Sequence, residues 1–186
     1  SVELLIPHMA AEGIWGYPFC CPDMIGGGEI NSLSPDTPKD EIDGELVVRG
    51  AQVHALMPMM QFSVAPWRIL NDEHLQAVRD AAKLHEKFGS TFLELARQSA
   101  ATGEPILRCM EYNYPHQGYI DVNDQFMIGE KILVAPVITQ GSTSRQVRLP
   151  GGTWIADDGQ AYDGLIEITI DVPLNRLPYF TQNAAR

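Results

Sequence analysis

The feature that most constrains the fold is a change of sequence pattern near residue 104. Before this point, apolar residues recur at helical spacing over long stretches. After Pro105 the chain consists of short apolar runs separated by Gly, Pro, Asn and Asp, which is typical of strands joined by turns. We therefore predict strand–helix units over residues 1–103 and an all-β domain over residues 104–186.

The first of these parts contains too few strands to make a complete sheet. The predicted elements are a helix over Val2–Ala11, a buried strand over Gly13–Cys21, a loop over Pro22–Glu29, a surface loop over Asn31–Gly44, a helix from Glu45 that stops near Pro58, an extended segment over Gln61–Leu70, and a long helix that begins at Asn71 or Asp72, breaks near Gly89 and ends at Gly103. One or two strand–helix units cannot cover both faces of a sheet. We therefore expect this sequence to be a piece of a longer protein.

The second part contains six predicted strand segments. They are "ILRCMEYNY", "QFMIGEKILVAPVI", "SRQVRLP", "GTWIAD", "AYDG" and "IEITIDVP", and "LPYFTQNAAR" reads as one more strand at the end. Because these short segments are separated by Gly, Pro, Asn and Asp turns, we predict that this part is all-β.

Charge and cysteine content exclude several classes of partner. The net charge is −11, from 24 acidic and 13 basic residues, which argues against nucleic acid because phosphates require a basic surface. No apolar run approaches the roughly 20 residues of a membrane span. The adjacent Cys20 and Cys21 could bridge each other only with strain, so no disulfide framework is predicted. We expect no nucleic acid and no membrane as partners.

The segment "FCCPDMIGGGE", Phe19–Glu29, combines cysteines, a carboxylate and three glycines. The glycines lack the Lys-Ser/Thr end of a phosphate loop, and Cys20 and Cys21 lack further ligands at zinc spacing, so no cofactor and no metal are predicted. Asp23 leaves an apolar run and enters the glycine loop. There its carboxylate could face a cleft, or it could only cap the loop by accepting backbone N–H groups. Both interpretations stay open.

Other polar and aromatic residues give weaker signals. The five histidines are scattered and form no recognisable catalytic or metal-binding pattern. An acidic run is interpreted as a solvated loop. A set of aromatic residues could stack on a sugar ring or belong to the core. The histidines are His8, His54, His74, His85 and His116; the acidic run is Asp36, Asp40, Glu41, Asp43 and Glu45; the aromatic residues are Trp15, Tyr17, Phe19, Phe62 and Trp67.

Several segments match known motifs in the right order. "GIWGYPFCCPDMIGGGE" looks like a barrel strand and loop with a Gly-Ala-Asp-Ile/Val-Gly-Gly-Phe pattern, and "ELVVRGAQVHALMPMM" looks like the helix that follows. "EPILRCMEYNYP", "NDQFMIGEKILVAPVI" and "LPGGTWIADDGQAYDG" are similar to the entry and middle of a β-sandwich. Together these motifs resemble glycoside hydrolase family 31, the retaining α-glucosidases and α-xylosidases. The resemblance covers nearly the whole chain.

The resemblance implies a fold and an activity. The fold would be α/β plus all-β, with the last strand–helix units of a (β/α)8 barrel over residues 1–103 and an incomplete antiparallel β-sandwich domain over residues 104–186. The parent enzyme would hydrolyse α-linked glycosides with two carboxyl groups roughly 5–5.5 Å apart. The family's Trp-x-Asp-Met-Asn-Glu nucleophile motif and its acid/base motif do not occur here. We therefore assign no catalytic residue and expect this chain alone to be inactive.

The resemblance also implies substrate-binding positions and one departure. In the family a Pro-x-x-Arg-x-His motif grips the sugar, but after Pro58 this chain has Gln61 and Ser63 at the Arg and His positions. Arg68 could supply the lost cation, and Asp23 would orient the sugar or Arg68 at the carboxyl ends of the strands. The predicted substrate-binding residues are Asp23, Gln61, Ser63, Trp67 and Arg68.

Two other hypotheses remain open. The all-β half could be a non-catalytic carbohydrate-binding or packing module, if the aromatic residues Tyr112, Tyr114, Tyr119, Trp154 and Tyr162 are exposed. A catalytically dead homologue is the third possibility. Incomplete barrel strands would expose edges and apolar faces, so we also expect self-association.

Overall fold

A computed structural model describes residues 2–27 and 42–183. The helices are α1 (Leu5–Ile14), α2 (Gly44–Ala55), α3 (Pro66–Ile69), α4 (Asp72–Lys87), α5 (Gly89–Thr102) and α6 (Met110–Asn113), and a 3₁₀ turn at Val2–Leu4 precedes α1. The strands are β1 (Leu107–Cys109), β2 (Phe126–Ile128), β3 (Ile132–Val134), β4 (Ser144–Leu149), β5 (Thr153–Ala156), β6 (Ala161–Asp163), β7 (Ile166–Asp171) and β8 (Tyr179–Gln182). Residues 28–29 of the predicted loop Pro22–Glu29 and residues 31–41 of the predicted loop Asn31–Gly44, which include Asp36, Asp40 and Glu41, lie outside the described residues.

The helix boundaries follow local capping chemistry. The Asn71 side chain caps α4 by accepting the backbone N–H of His74 at 2.9 Å. The helical run is interrupted at Phe88, and α5 ends at Gly103, whose left-handed φ of 79° suits glycine. These observations confirm the predicted start, break and end of the long helix.

The strands form two antiparallel sheets. The larger sheet has six strands in the order β1-β2-β3-β8-β5-β6, and β4 pairs with β7 in a second sheet. Side chains of the two sheets share one apolar cluster that includes Val147, Ile170, Trp154 and Phe180. The antiparallel β domain predicted after residue 104 is confirmed.

The six-stranded sheet has two apolar faces because successive side chains of a strand point to opposite sides. In β3, Leu133 joins the cluster between the sheets, whereas Ile132 and Val134 join a second cluster with the helices. The same alternation occurs in β8, where Phe180 packs between the sheets and Tyr179 packs towards the helices. This sheet therefore carries the helical part on one face and the small sheet on the other.

The buried strand predicted over Gly13–Cys21 is wrong. The helix α1 runs to Ile14 and is followed by a turn, and Trp15, Tyr17 and Phe19 are mostly exposed. An extended segment forms a stable strand only when a neighbouring backbone pairs with it, and no described segment pairs with these residues. Their apolar pattern gave a strand signal without the partner that a strand needs.

Two shorter predictions need correction. The segment Gln61–Leu70 is extended only at its start, because Pro66 opens the short helix α3 at a position where its missing N–H costs nothing. The run "ILRCMEYNY" is a three-residue strand followed by α6. In both cases a single helical turn lies inside a segment that we read as continuous extended chain.

Candidate functional site

The site is built on one parallel backbone bridge. The Ile25 N–H donates to the Gln61 carbonyl at 2.9 Å, and the Ser63 N–H donates to the Ile25 carbonyl at 3.0 Å. These bonds pair Ile25 with Phe62 in parallel orientation, and the buried Ile25 side chain anchors the pair in the core. The bridge brings the Asp23 segment alongside Gln61 and Ser63, which are forty residues further along the chain.

Asp23 is exposed at the end of this bridge. Its Oδ1 accepts the N–H of Met24 at 2.9 Å, which is the loop-capping role that we weighed against a role in a cleft. A carboxylate has several further acceptor positions, so this one bond leaves Asp23 able to accept hydroxyl groups from a ligand. The two interpretations are therefore compatible.

Gln61 and Ser63 are exposed on the second segment. The Gln61 Oε1 faces the Cys21 thiol at 3.9 Å, and the Ser63 hydroxyl donates to the Ile25 carbonyl at 3.1 Å. Burial raises the pKa of the Cys21 thiol, so this group stays protonated and can act as the donor. The Gln61 amide N–H groups then remain to donate to a ligand, and the Ser63 oxygen remains as an acceptor.

The short helix α3 carries Trp67 and Arg68. Both side chains are exposed, and Trp67 has 65% of its surface accessible. The ion pairs among the described residues do not include one between Arg68 and Asp23. The structure therefore places Arg68 on the element after the bridge, without the direct contact to Asp23 that we considered.

His54 is a residue of this region that sequence reasoning missed. It lies in the last turn of α2 with 1% of its surface exposed, and its Nε2 is 2.7 Å from the Asp23 carbonyl oxygen. Its Nδ1 is 2.7 Å from the Gly50 carbonyl oxygen. Burial lowers the pKa of the imidazole, although the backbone carbonyl groups of Gly50, Asp23 and Pro22 and the Asp23 carboxylate oppose this effect. The sequence signal was a histidine among the apolar residues of a predicted helix, and sequence alone does not identify its partner.

The aromatic residues of the β domain are not distributed as the binding-module hypothesis required. Trp154 is fully buried and donates its Nε1–H to the Pro150 carbonyl at 2.8 Å, and Tyr119 is 7% exposed. Both belong to the cluster between the sheets, with Tyr114 and Tyr162 packed against it, and Tyr112 donates its hydroxyl to Glu104 at 2.9 Å. The expectation of an exposed aromatic set is wrong for Trp154 and Tyr119.

Comparison with known proteins identifies the class. Residues 103–185 match the glycosyl hydrolase family 31 C-terminal domain. The chain belongs to glycoside hydrolase family 31.

Individual relatives are glycoside hydrolases. The chain is similar to the myogenesis-regulating glycosidase of Mus musculus, with 36% identity over 189 residues that cover 97% of this chain and 26% of that protein. It is 25% identical over 193 residues to alpha-glucosidase 2 of Bacillus thermoamyloliquefaciens, which covers 99% of this chain and 23% of that protein. The solved GH31 dextranase of Flavobacterium johnsoniae, complexed with isomaltotriose, matches with a TM-score of 0.83 and 32% identity over 97% of this chain and 22% of that one. The chain thus spans about a quarter of the length of these relatives.

The described residues contain neither a candidate membrane span nor a candidate metal cluster. Within residues 2–27 and 42–183, no helix has the length and apolar character needed to span a membrane. The same residues contain no group of three or more His, Cys, Asp or Glu side chains placed to hold a metal ion.

Proposed function

We propose that this chain supplies part of the sugar-binding cleft of a retaining α-glycosidase. Residues 1–103 would be the last part of the (β/α)8 barrel, and residues 104–186 would be the β-sandwich domain that packs on it. The observation that carries this proposal is the parallel bridge between Ile25 and Phe62. Neighbouring strands of such a barrel pair in parallel, and residues at their carboxyl ends build the active site.

The five predicted binding residues would make different kinds of contact with a sugar. Asp23 would accept hydroxyl hydrogens, and Gln61 would donate its amide N–H groups, because its Oε1 already faces Cys21. Ser63 would accept through its oxygen. Trp67 offers an exposed aromatic ring on which a sugar face can pack, and Arg68 carries a cation on the short helix that follows the bridge. This set would suit a neutral polyhydroxylated ligand.

The reaction itself would need two more carboxyl groups. Retaining glycosidases form a covalent glycosyl–enzyme intermediate on one carboxylate while a second carboxyl group donates and later accepts a proton. The sequence contains neither family motif for these aspartates, and the relatives are about four times longer than this chain. We propose that both catalytic aspartates lie in another part of the complete protein, and that residues 1–186 alone are inactive.

The test compares two glutamine variants in the complete protein. Aryl α-glycosides serve as substrates, and NMR of the first product reports whether the anomeric configuration is retained. Gln61→Ala is expected to lower kcat/KM about tenfold, because one hydrogen bond to a polar ligand is lost. Gln76→Ala, on the exposed face of α4, removes the same side chain away from the bridge and is expected to leave kcat/KM unchanged.

Three results would contradict the proposal. They are turnover by residues 1–186 alone, absence of turnover by the complete protein, and equal kcat/KM for the two glutamine variants. Light scattering of the isolated chain checks the accompanying expectation of self-association, which follows from the exposed Trp15, Tyr17 and Phe19. A monodisperse monomer would refute that expectation.

A further inference from the structure

His54 is a buried polar group at the boundary between α2 and the Asp23 loop. It follows Val53 and precedes Ala55, both fully buried, and its own side chain is 1% exposed. A buried imidazole is tolerated only when its nitrogens have hydrogen-bonding partners. The partners of His54 therefore show what this residue does in the fold.

Each ring nitrogen of His54 is 2.7 Å from a backbone carbonyl oxygen, but a neutral imidazole has only one N–H to donate. The Gly50 carbonyl lies four residues before His54 in α2, so helix geometry already gives it the backbone N–H of His54. The Asp23 carbonyl has no such helical donor. We therefore place the proton on Nε2, where it gives the Asp23 carbonyl a hydrogen-bond donor.

We propose that His54 is a positioning residue for the candidate sugar site, holding the Asp23 loop in place by donating its Nε2–H to the Asp23 carbonyl. This inference rests on the proposed function. Because the ring is almost fully buried, His54 acts through Asp23 and does not touch the ligand.

The contact is transmitted along a short chain of hydrogen bonds. Fixing the Asp23 carbonyl fixes the peptide plane before Met24, whose N–H donates to the Asp23 carboxylate at 2.9 Å. Two residues later, Ile25 pairs with Gln61 and Ser63 through the bridge. The His54 contact thus sets the position of the Asp23 carboxylate relative to the two polar groups on the neighbouring segment.

The charge nearest the ring favours its protonated form, but burial outweighs this charge and keeps the ring neutral. The carboxylate that acts on His54 is that of Asp23, on the loop it holds. From α4, His85 contacts the neighbouring Ala55 carbonyl at 3.0 Å through its Nδ1. Burial is the largest influence on His54 and lowers its pKa, so the ring is neutral near pH 7 and carries a single N–H.

Two amide substitutions separate the two ring contacts. His54→Gln places an amide N–H group near the position of Nε2 and retains a donor towards Asp23. His54→Asn places an amide N–H group near the position of Nδ1, so it reaches only towards Gly50. Both variants remove the ring and leave a buried amide, so they differ by one methylene group and by the contact to the loop.

The first measurement is amide hydrogen exchange of the complete protein without any sugar. His54→Asn is expected to speed exchange of the Ile25 and Ser63 amides about tenfold, the effect of losing one hydrogen bond, whereas His54→Gln keeps them near the wild-type rate. Exchange of the Phe180 amide in the β domain serves as the control for global destabilisation. Equal exchange at the bridge in the two variants would overturn the proposal.

The second measurement is kcat/KM with aryl α-glycosides. His54→Asn is expected to raise KM about tenfold with a smaller change in kcat, and His54→Gln is expected to restore KM. Equal KM values for both variants would overturn the positioning role. If the wild-type protein shows no turnover, the proposed function fails, while the exchange experiment still decides whether His54 holds the loop.

Discussion

Large apolar side chains are buried in the β domain but exposed in the segment after α1. In the β domain, Trp154, Phe180 and Leu133 have no accessible surface. After α1, Trp15 is 77% exposed and Tyr17 is 67% exposed. Both regions are rich in aromatic residues, so composition alone does not explain the difference.

The difference follows from backbone pairing. The six-stranded sheet satisfies its polar backbone groups in continuous antiparallel ladders, and the β4–β7 sheet covers one of its faces. Near the site, the described residues pair only through the single bridge between Ile25 and Phe62. Trp15 and Tyr17 lie in a segment that pairs with no described strand, so no neighbouring strand covers these two side chains. This is the physical reason for proposing that further barrel elements of a complete enzyme cover Trp15 and Tyr17.

The largest expected effect is the loss of the buried tryptophan between the sheets. Trp154→Ala is expected to lower the free energy of unfolding by about 3–5 kcal/mol, because it leaves a cavity and removes the donor to the Pro150 carbonyl. The matched change Trp15→Ala removes an exposed ring and is expected to alter the free energy of unfolding by no more than about 0.5 kcal/mol. Urea denaturation followed by circular dichroism measures both.

The comparison shows whether the buried tryptophan contributes more to the free energy of unfolding than the exposed one does. Similar losses for Trp154→Ala and Trp15→Ala would show that Trp15 is enclosed in solution. If Trp154→Ala does not fold, Trp154→Phe gives a smaller loss that can be measured against Trp15→Phe.

The sequence predicted the β domain well because its strand signals are local. Short apolar runs bounded by turn residues specify strands. The strands β2 and β3, for example, pair with each other in antiparallel orientation and are joined by a short turn. The strand predicted over Gly13–Cys21 failed because strand formation depends on a distant partner. No local pattern reports whether that partner is present.

The site was predictable only in part for a related reason. The prediction that Asp23, Gln61 and Ser63 bind substrate rests on motif order, and the bridge brings their segments side by side. The contact between His54 and the Asp23 carbonyl joins residues 31 positions apart through a backbone atom. Every residue except proline has the same backbone groups, so the identity of the acceptor leaves no trace in the sequence.

The second largest expected effect concerns a contact between the helix α2 and the β domain. The Gln52 side chain donates to the Leu174 carbonyl at 2.6 Å and accepts from Arg49 at 3.0 Å, which connects α2 to the chain between β7 and β8. Gln52→Ala removes the acceptor of the buried Arg49 side chain and the donor to the half-buried Leu174 carbonyl, and it is expected to cost about 1–3 kcal/mol of stability. Gln76→Ala on α4 removes an exposed glutamine and is expected to cost no more than about 0.5 kcal/mol. Denaturation midpoints of the two variants measure these losses. Equal midpoints would show that the contact between Gln52 and the Leu174 carbonyl does not stabilise the fold.

The smallest effect is a dependence of stability on pH that belongs to His54. Its pKa is lowered in the folded state, so below the ordinary histidine pKa of about 6.5 the unfolded chain binds the proton more readily. Acidification therefore favours unfolding, by at most about 1.4 kcal/mol per pH unit for one proton. His54→Gln does not titrate, so the stability of the wild type relative to this variant is expected to fall between pH 7 and pH 5. Urea denaturation at three pH values measures the difference, in which the other histidines cancel. A relative gain of stability at low pH would mean that the Gly50 and Asp23 carbonyls outweigh burial, and that the ring is charged when it holds the loop.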